Sequence, residues 1–115
     1  EDRIPKELIS LFHPSVQPYL RSYLTTDPAE LIAKVECPTL IISGGRDIQV
    51  SVDNAERLFV SSKGAKHISF ADMSHVLKDA TTDDRIEQML SVYTNSQLPL
   101  TEGLADAIVE FLKSL

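Results

Sequence analysis

The stretch of sequence that decides the fold reads Pro38-Thr39-Leu40-Ile41-Ile42-Ser43-Gly44-Gly45-Arg46-Asp47. Residues 39–43 form a nearly unbroken apolar run, which is typical of strands covered on both faces, as in parallel sheets. Two glycines then open a turn, and Asp47 closes the stretch. We therefore predict an interior strand of an α/β fold with a carboxylate at its carboxyl end, where ligands bind in open α/β sheets.

A second strand is predicted one helix further along. Ser51 can cap a helix over residues 52–62, whose apolar positions recur on one face. Residues 66–71 then read as a short strand. A strand–helix–strand order forms one crossover unit, so the two strands should be parallel neighbours. Two strands make an incomplete sheet, and the free edge at residues 39–43 needs a cover from more chain or from a partner.

Three helices are predicted before this unit. Residues 6–12 and 16–24 carry apolar side chains at helical intervals, with prolines between them. Asp27 is the predicted N-cap of a third helix, because a proline and then a glutamate follow it in the first turn. The side chains of that helix expected to face the core are Leu31, Ile32 and Val35.

After the second strand the chain is polar and irregular over residues 77–100. A helix is predicted over residues 84–93, with Ile86, Met89, Leu90 and Tyr93 on its apolar side. The closing helix over residues 101–115 has the clearest amphipathic period. Its apolar stripe consists of Leu104, Ile108, Phe111, Leu112 and Leu115.

Size and composition limit the possible functions. A chain of 115 residues is one domain at most, and its net charge of −6 argues against a nucleic-acid surface. No apolar run is long enough for a membrane span. The lone Cys37 excludes an internal disulfide and a cysteine-based zinc site, and we interpret it as a small core residue of a cytoplasmic protein. Because the chain opens on Glu1 rather than on methionine, we expect a processed or truncated start.

Asp47 and His75 are the candidate catalytic residues. His75 lies 28 positions after Asp47, in Met73-Ser74-His75-Val76, directly after the second strand. A carboxylate and an imidazole at the ends of neighbouring parallel strands are two thirds of a nucleophilic triad, in which the carboxylate orients the imidazole and the imidazole acts as general base. Two simpler interpretations stay open. Asp47 can stabilise its own turn or cap the next helix, and His75 can be an exposed loop histidine.

Other polar residues carry weaker signals. His13 precedes a proline and His67 lies within the second strand, and we assign no chemistry to either. An acidic stretch surrounds His75, and a solvated loop is a better interpretation of it than a metal site, because no second histidine has the spacing of a ligand. We therefore predict neither a metal nor a cofactor. The stretch consists of Asp72, Asp79, Asp83, Asp84 and Glu87.

In this order and spacing, the motif from Pro38 to Val50 and the motif from Met73 to Lys78 resemble the C-terminal part of a serine α/β-hydrolase. The resemblance implies an incomplete α/β-hydrolase fold, with residues 1–36 as a cap or lead-in segment and residues 37–115 as the last two strands, the acid and histidine loops and the closing helix. It also implies that Asp47 is the triad acid and His75 the triad base, in the chain order Ser, Asp, His. The implied reaction is acyl transfer to water from a small-molecule ester, amide or thioester.

The nucleophile of such an enzyme is missing from the chain. No serine here lies in Gly-x-Ser-x-Gly, so we predict that the isolated chain is inactive on esters and pairs with a missing N-terminal part or with itself. The alternative is a non-catalytic α/β interaction module that pairs through its sheet edge. A third alternative is a relative of the dehalogenases or of hydrolases with a cysteine nucleophile.

Overall fold

The computed structural model describes Leu8 and residues 12–115 of the chain. A 3₁₀ turn at Pro14–Val16 leads into the helices α1 (Gln17–Thr25) and α2 (Pro28–Ile32). Strand β1 (Leu40–Gly44), helix α3 (Val52–Ser61) and strand β2 (Lys66–Phe70) follow. Helix α4 (Arg85–Gln88), a π-helical turn (Met89–Tyr93) and helix α5 (Leu104–Lys113) complete the described chain. The helix predicted over residues 6–12 lies largely outside the described residues.

The β1–α3–β2 segment forms the predicted crossover unit. The two strands are parallel and adjacent, with Ile42 opposite Ile68 and Ser43 opposite Ser69. Helix α3 packs against both strands, and its one fully buried residue is Ala55. The described chain therefore combines helices with a two-stranded parallel sheet, as in a small α/β fold.

Of the two N-caps predicted from the sequence, the structure has the one at α2 but not the one at α3. The Asp27 carboxylate accepts a hydrogen bond from the backbone N–H of Ala29 at 2.9 Å, so it caps α2 as predicted. Ser51 precedes α3 but does not cap it with its side chain. Its hydroxyl instead accepts a hydrogen bond from the Asn54 side-chain amide at 3.1 Å.

Helix α5 starts later than predicted. It begins at Leu104 rather than at residue 101, because Gly103 before it has a left-handed φ of 79° that interrupts helical geometry. Leu104 is its one buried residue, and the expected apolar stripe is largely exposed, as Ile108, Leu112 and Leu115 illustrate.

Helix α4 and the π-helical turn after it occupy the segment predicted as a helix over residues 84–93. The fully buried side chains in this region are the polar Gln88 and, one turn later, Val92. Ile86 and Leu90, two residues of the apolar side, are 70% and 72% exposed and face outward. Periodicity identifies an apolar stripe, whereas the hydrogen bonds of a buried polar residue such as Gln88 are not visible in it.

Two further burial predictions were wrong at the other end of the sheet. Cys37 is exposed rather than part of the core. In and after α2, Leu31 and Val35 are exposed, and Ile32 alone of the predicted three is half-buried. Both errors have one physical cause: no described element covers this end of the unit.

The core of the described chain is small. Its buried apolar side chains are Ile41, Ala55, Met73, Ala80, Val92 and Leu104. The radius of gyration is 17.7 Å, whereas a compact domain of this length has about 13 Å. No helix among the described residues has the length and apolarity to cross a bilayer. Within the part of the chain that the structure describes, large apolar side chains such as Leu24 and Val60 are exposed.

Candidate active site: an aspartate–histidine pair at the end of the sheet

Both carboxylate oxygens of Asp47 are engaged, one by the turn after β1 and the other by His75. Oδ1 accepts hydrogen bonds from the backbone N–H groups of Gln49 at 2.8 Å and Val50 at 2.9 Å. Oδ2 lies 2.9 Å from Nδ1 of His75. The two interpretations of Asp47 are therefore compatible, because one oxygen stabilises the turn while the other binds the imidazole.

The loop after β2 presents His75 at its tip. Ser74 is 1% exposed, and both its hydroxyl and its backbone N–H donate to the carbonyl of Lys78, at 2.7 and 2.9 Å. Leu77 donates its N–H to the Ser74 carbonyl and has a left-handed φ of 62°, which is unfavourable for a leucine. Backbone conformations of this kind are concentrated at functional sites, where the surrounding structure imposes them.

Two glycines allow the turn that carries Asp47 (residues 45–50, the acid turn) to contact the loop that carries His75 (residues 71–78, the histidine loop). Gly45 donates its N–H to the Phe70 carbonyl at 2.8 Å, and Arg46 donates its N–H to the Met73 carbonyl at 3.1 Å. A Cβ atom on Gly44 would overlap the carbonyl oxygen of Met73. The Gly-Gly pair thus allows the two backbones to approach closely. This approach brings Asp47 next to His75.

The environment of Asp47 favours its ionised form. Partial burial raises the pKa of this carboxyl, but the backbone N–H groups of Val50 and Gln49 and the imidazole of His75 together outweigh that effect and lower the pKa below its ordinary value. An ionised carboxylate can only accept a hydrogen bond, so Nδ1 of His75 carries the proton. The Asp47 side chain is 13% exposed and the His75 side chain 40% exposed, which leaves the ring open to a reactant.

The lowered pKa of Asp47 predicts an acid-dependent loss of stability. A carboxyl with a lowered pKa stabilises the fold above its ordinary value of 3.8, and this contribution disappears as the pH falls through the folded-state pKa. We expect Asp47→Asn to lower the free energy of unfolding at about pH 7, with a difference from wild type that shrinks below about pH 4. Urea unfolding at a series of pH values measures this, and Glu102→Gln, at an exposed carboxylate, is the control for losing one charge. A difference independent of pH would contradict it.

A groove of about 300 Å³ lies beside the pair. It runs along β1 and the start of α3, and its lining includes Ile41, Leu58 and Met73 together with Asp47 and His75. Because Nδ1 binds Asp47, the other ring nitrogen is free to act, and no described residue forms a hydrogen bond with His75 Nε2. The arrangement can accept a proton from a hydroxyl placed in this groove.

The sequence analysis missed the residues that fasten the acid turn. The Arg46 guanidinium donates to Asp72 at 3.1 Å and to Asp83 at 3.0 Å. Its backbone carbonyl accepts a hydrogen bond from the Gln88 side-chain amide at 2.9 Å. The ion pairs could have been predicted, because the sequence places an arginine next to Asp47 and an acidic stretch around His75. No pattern in the sequence indicated Gln88.

The acidic stretch is engaged in hydrogen bonds and ion pairs. Besides the two carboxylates on Arg46, Asp79 accepts a hydrogen bond from the Thr101 hydroxyl at 2.6 Å, and Asp84 caps α4 through the N–H of Glu87 at 2.8 Å. Within residues 12–115 no group of three metal-ligating side chains comes together. Three of these carboxylates thus link separate parts of the chain, and Asp84 caps a helix.

The other two histidines do not line the groove beside Asp47 and His75. His67 contacts the Ser43 hydroxyl through Nε2 at 2.9 Å and packs against the ring of Phe59. His13 is exposed, and its Nδ1 lies 2.8 Å from the Ser15 hydroxyl. Among the described residues, His75 is the histidine that contacts a carboxylate.

Comparisons with known proteins identify no relative. A scan against protein-family models finds no matching family, and searches of curated proteins and of solved structures find no similar protein. A function is therefore argued from the site itself.

Proposed function

We propose that this chain is the acid- and base-bearing part of a serine hydrolase of the α/β type, which transfers an acyl group from an ester, amide or thioester to water. The observation that supports it is the 2.9 Å contact between Asp47 Oδ2 and His75 Nδ1, with Asp47 anchored by two backbone N–H groups. This contact selects the tautomer in which Nε2 has a lone pair available for proton transfer.

The proposed reaction proceeds in two halves. A hydroxyl in the groove gives its proton to His75 Nε2 as its oxygen bonds to the acyl carbon. His75 then gives that proton to the leaving group as the bond between acyl carbon and leaving group breaks. Water repeats the sequence: it loses a proton to Nε2, its oxygen bonds to the acyl carbon, and the hydroxyl is released with that proton. Asp47 stays ionised and stabilises each transient imidazolium.

The hydroxyl and the oxyanion donors must come from outside the described residues. Within residues 12–115 no serine, threonine or cysteine side chain is hydrogen-bonded to His75. No described strand pairs with the outer edge of β1, and this supports a further strand there, since an apolar parallel strand is stable when both of its edges are paired. Such a strand, from a longer chain or from a partner, would place a nucleophile next to Nε2.

The large exposed apolar surface also favours a second candidate function, a non-catalytic interaction module. Leu24, Val60 and Leu90 are each more than 70% exposed, and soluble proteins cover such surface when it is contiguous. In that case Asp47 stabilises its turn, His75 only forms a hydrogen bond with the carboxylate, and the edge of β1 pairs with another copy of the chain.

The isolated 115-residue chain is expected to be inactive, because a general base without a nucleophile and oxyanion donors has nothing to activate. Hydrolysis of p-nitrophenyl acetate by the purified chain should not exceed that of free imidazole at the same concentration. His75→Gln is the matched variant. A rate above that of imidazole that disappears in His75→Gln would show a complete site in this chain and overturn the prediction.

The proposal is tested on the endogenous protein that contains this sequence. We expect ester hydrolysis to copurify with it through successive columns. A homogeneous preparation that hydrolyses no ester, amide or thioester, but forms dimers in solution, would favour the interaction module.

A further inference from the structure

Gln88 is a polar residue on the buried side of the segment formed by α4 and the π-helical turn, where it lies beside Val92. Its side chain is 0% exposed, whereas Ile86 and Leu90 on the same segment are 70% and 72% exposed. Burying an amide costs free energy unless hydrogen bonds compensate for the lost water. An orientation that buries this amide and exposes isoleucine and leucine therefore depends on what the amide binds.

The Gln88 amide binds the turn that carries Asp47. Its Nε2 donates to the Arg46 carbonyl at 2.9 Å and to the Thr82 carbonyl at 2.7 Å. Arg46 immediately precedes Asp47, so the first bond fixes the peptide group that joins them. Both donor hydrogens of the amide are used in this way, while Oε1 has no protein partner among the described residues. Every hydrogen bond that the Gln88 side chain forms with a described residue thus goes to one of these two backbone carbonyls.

The other links between this segment and the acid turn are exposed. The Arg46 guanidinium reaches Asp83, whose side chain is 75% exposed, and the Gln49 amide donates to the Tyr93 hydroxyl at 3.2 Å. Exposed pairs of this kind contribute little, because water and salt compete for them. The hydrogen bond from Gln88 is the buried link, and water does not compete for it.

We propose that Gln88 is a positioning residue for the aspartate–histidine pair. By holding the Arg46 carbonyl, it keeps Asp47 Oδ2 against His75 Nδ1 and so holds the imidazole in the tautomer that leaves Nε2 free. Its consequence for catalysis rests on the proposed function, whereas its consequence for the geometry of the pair does not.

The test reads the His75 ring directly by long-range ¹H–¹⁵N NMR of the 115-residue chain. Wild type should show His75 protonated on Nδ1. Gln88→Leu, which removes the donor, and Gln88→Glu, which places a carboxylate against two carbonyls, should lower the ratio of the Nδ1–H to the Nε2–H tautomer roughly tenfold, since the bond to a charged group is lost or weakened. Val92→Ala is the matched control, because it trims a buried side chain of the same segment and leaves the Gln88 amide in place.

Each outcome decides the proposal. A selective change of the His75 ring in the two Gln88 variants supports it. Folded Gln88 variants with wild-type ring signals overturn it, as does the same change in Val92→Ala. Loss of folding in both Gln88 variants while Val92→Ala stays folded makes Gln88 a residue of the fold and likewise overturns a positioning role. Because hydrolysis is not measured, failure here is distinct from failure of the proposed function.

Discussion

Replacing His75 with glutamine is expected to lower the kcat of the proposed hydrolase by about 10⁶-fold, the scale on which removing a triad base acts. Glutamine keeps a polar side chain of similar reach but cannot take up a proton near neutral pH. The loss should fall on kcat more than on KM, because the proton is transferred in the transition state.

Asp47→Asn provides the graded comparison. The amide can still accept the two turn hydrogen bonds, but it cannot stabilise the imidazolium and favours the wrong tautomer, so kcat should fall by about 10⁴-fold. His13→Gln is the control, because His13 is exposed and its Nδ1 bonds to Ser15 rather than to a carboxylate. Ester hydrolysis measured under saturating substrate distinguishes the three variants. Equal activity of His75→Gln and His13→Gln would exclude His75 as the base.

Gly44→Ala is expected to lower the free energy of unfolding by about 3 kcal/mol, the upper end of the usual cost of overpacking. The added methyl group would overlap the carbonyl oxygen of Met73, which is backbone and which also accepts the N–H of Arg46. Relief requires the acid turn and the histidine loop to separate. The same substitution should therefore weaken the contact between Asp47 and His75 even where the chain remains folded.

Urea unfolding followed by far-ultraviolet circular dichroism measures this cost, and the His75 ring signals report the contact. Gly64→Ala is the matched control: an added methyl there meets no atom within 4 Å, although a φ of 120° disfavours alanine. It should cost about 1 kcal/mol and leave the His75 ring unchanged. A Gly44→Ala chain as stable as wild type would mean that the two loops do not touch in solution.

Local sequence patterns were sufficient for the crossover unit and for the meeting of Asp47 and His75. The apolar run before Gly44, the helix after it and the second strand leave few topologies, because parallel neighbours joined by one helix end at the same edge. Side chains that directly follow those ends must lie near one another. The contact between the carboxylate and the imidazole is a consequence of that order.

Burial outside the unit could not be predicted in the same way. Cys37 and Leu31 were expected inside and lie outside, because whether an apolar side chain is buried depends on an element to cover it. The burial of Gln88 could not be predicted either, because its amide binds the carbonyl of Arg46, 42 positions away. Periodicity is a local property of the sequence, and it contains no information on such distant partners.

The most direct measurement for the proposed function is the intact mass of the endogenous protein before and after treatment with a fluorophosphonate, which bonds to an activated serine. We expect a mass well above 12.8 kDa and a gain of one adduct, which is lost when His75 is replaced by glutamine. A protein of about the mass of this chain that gains no adduct would contradict the hydrolase and leave the interaction module as the function to pursue.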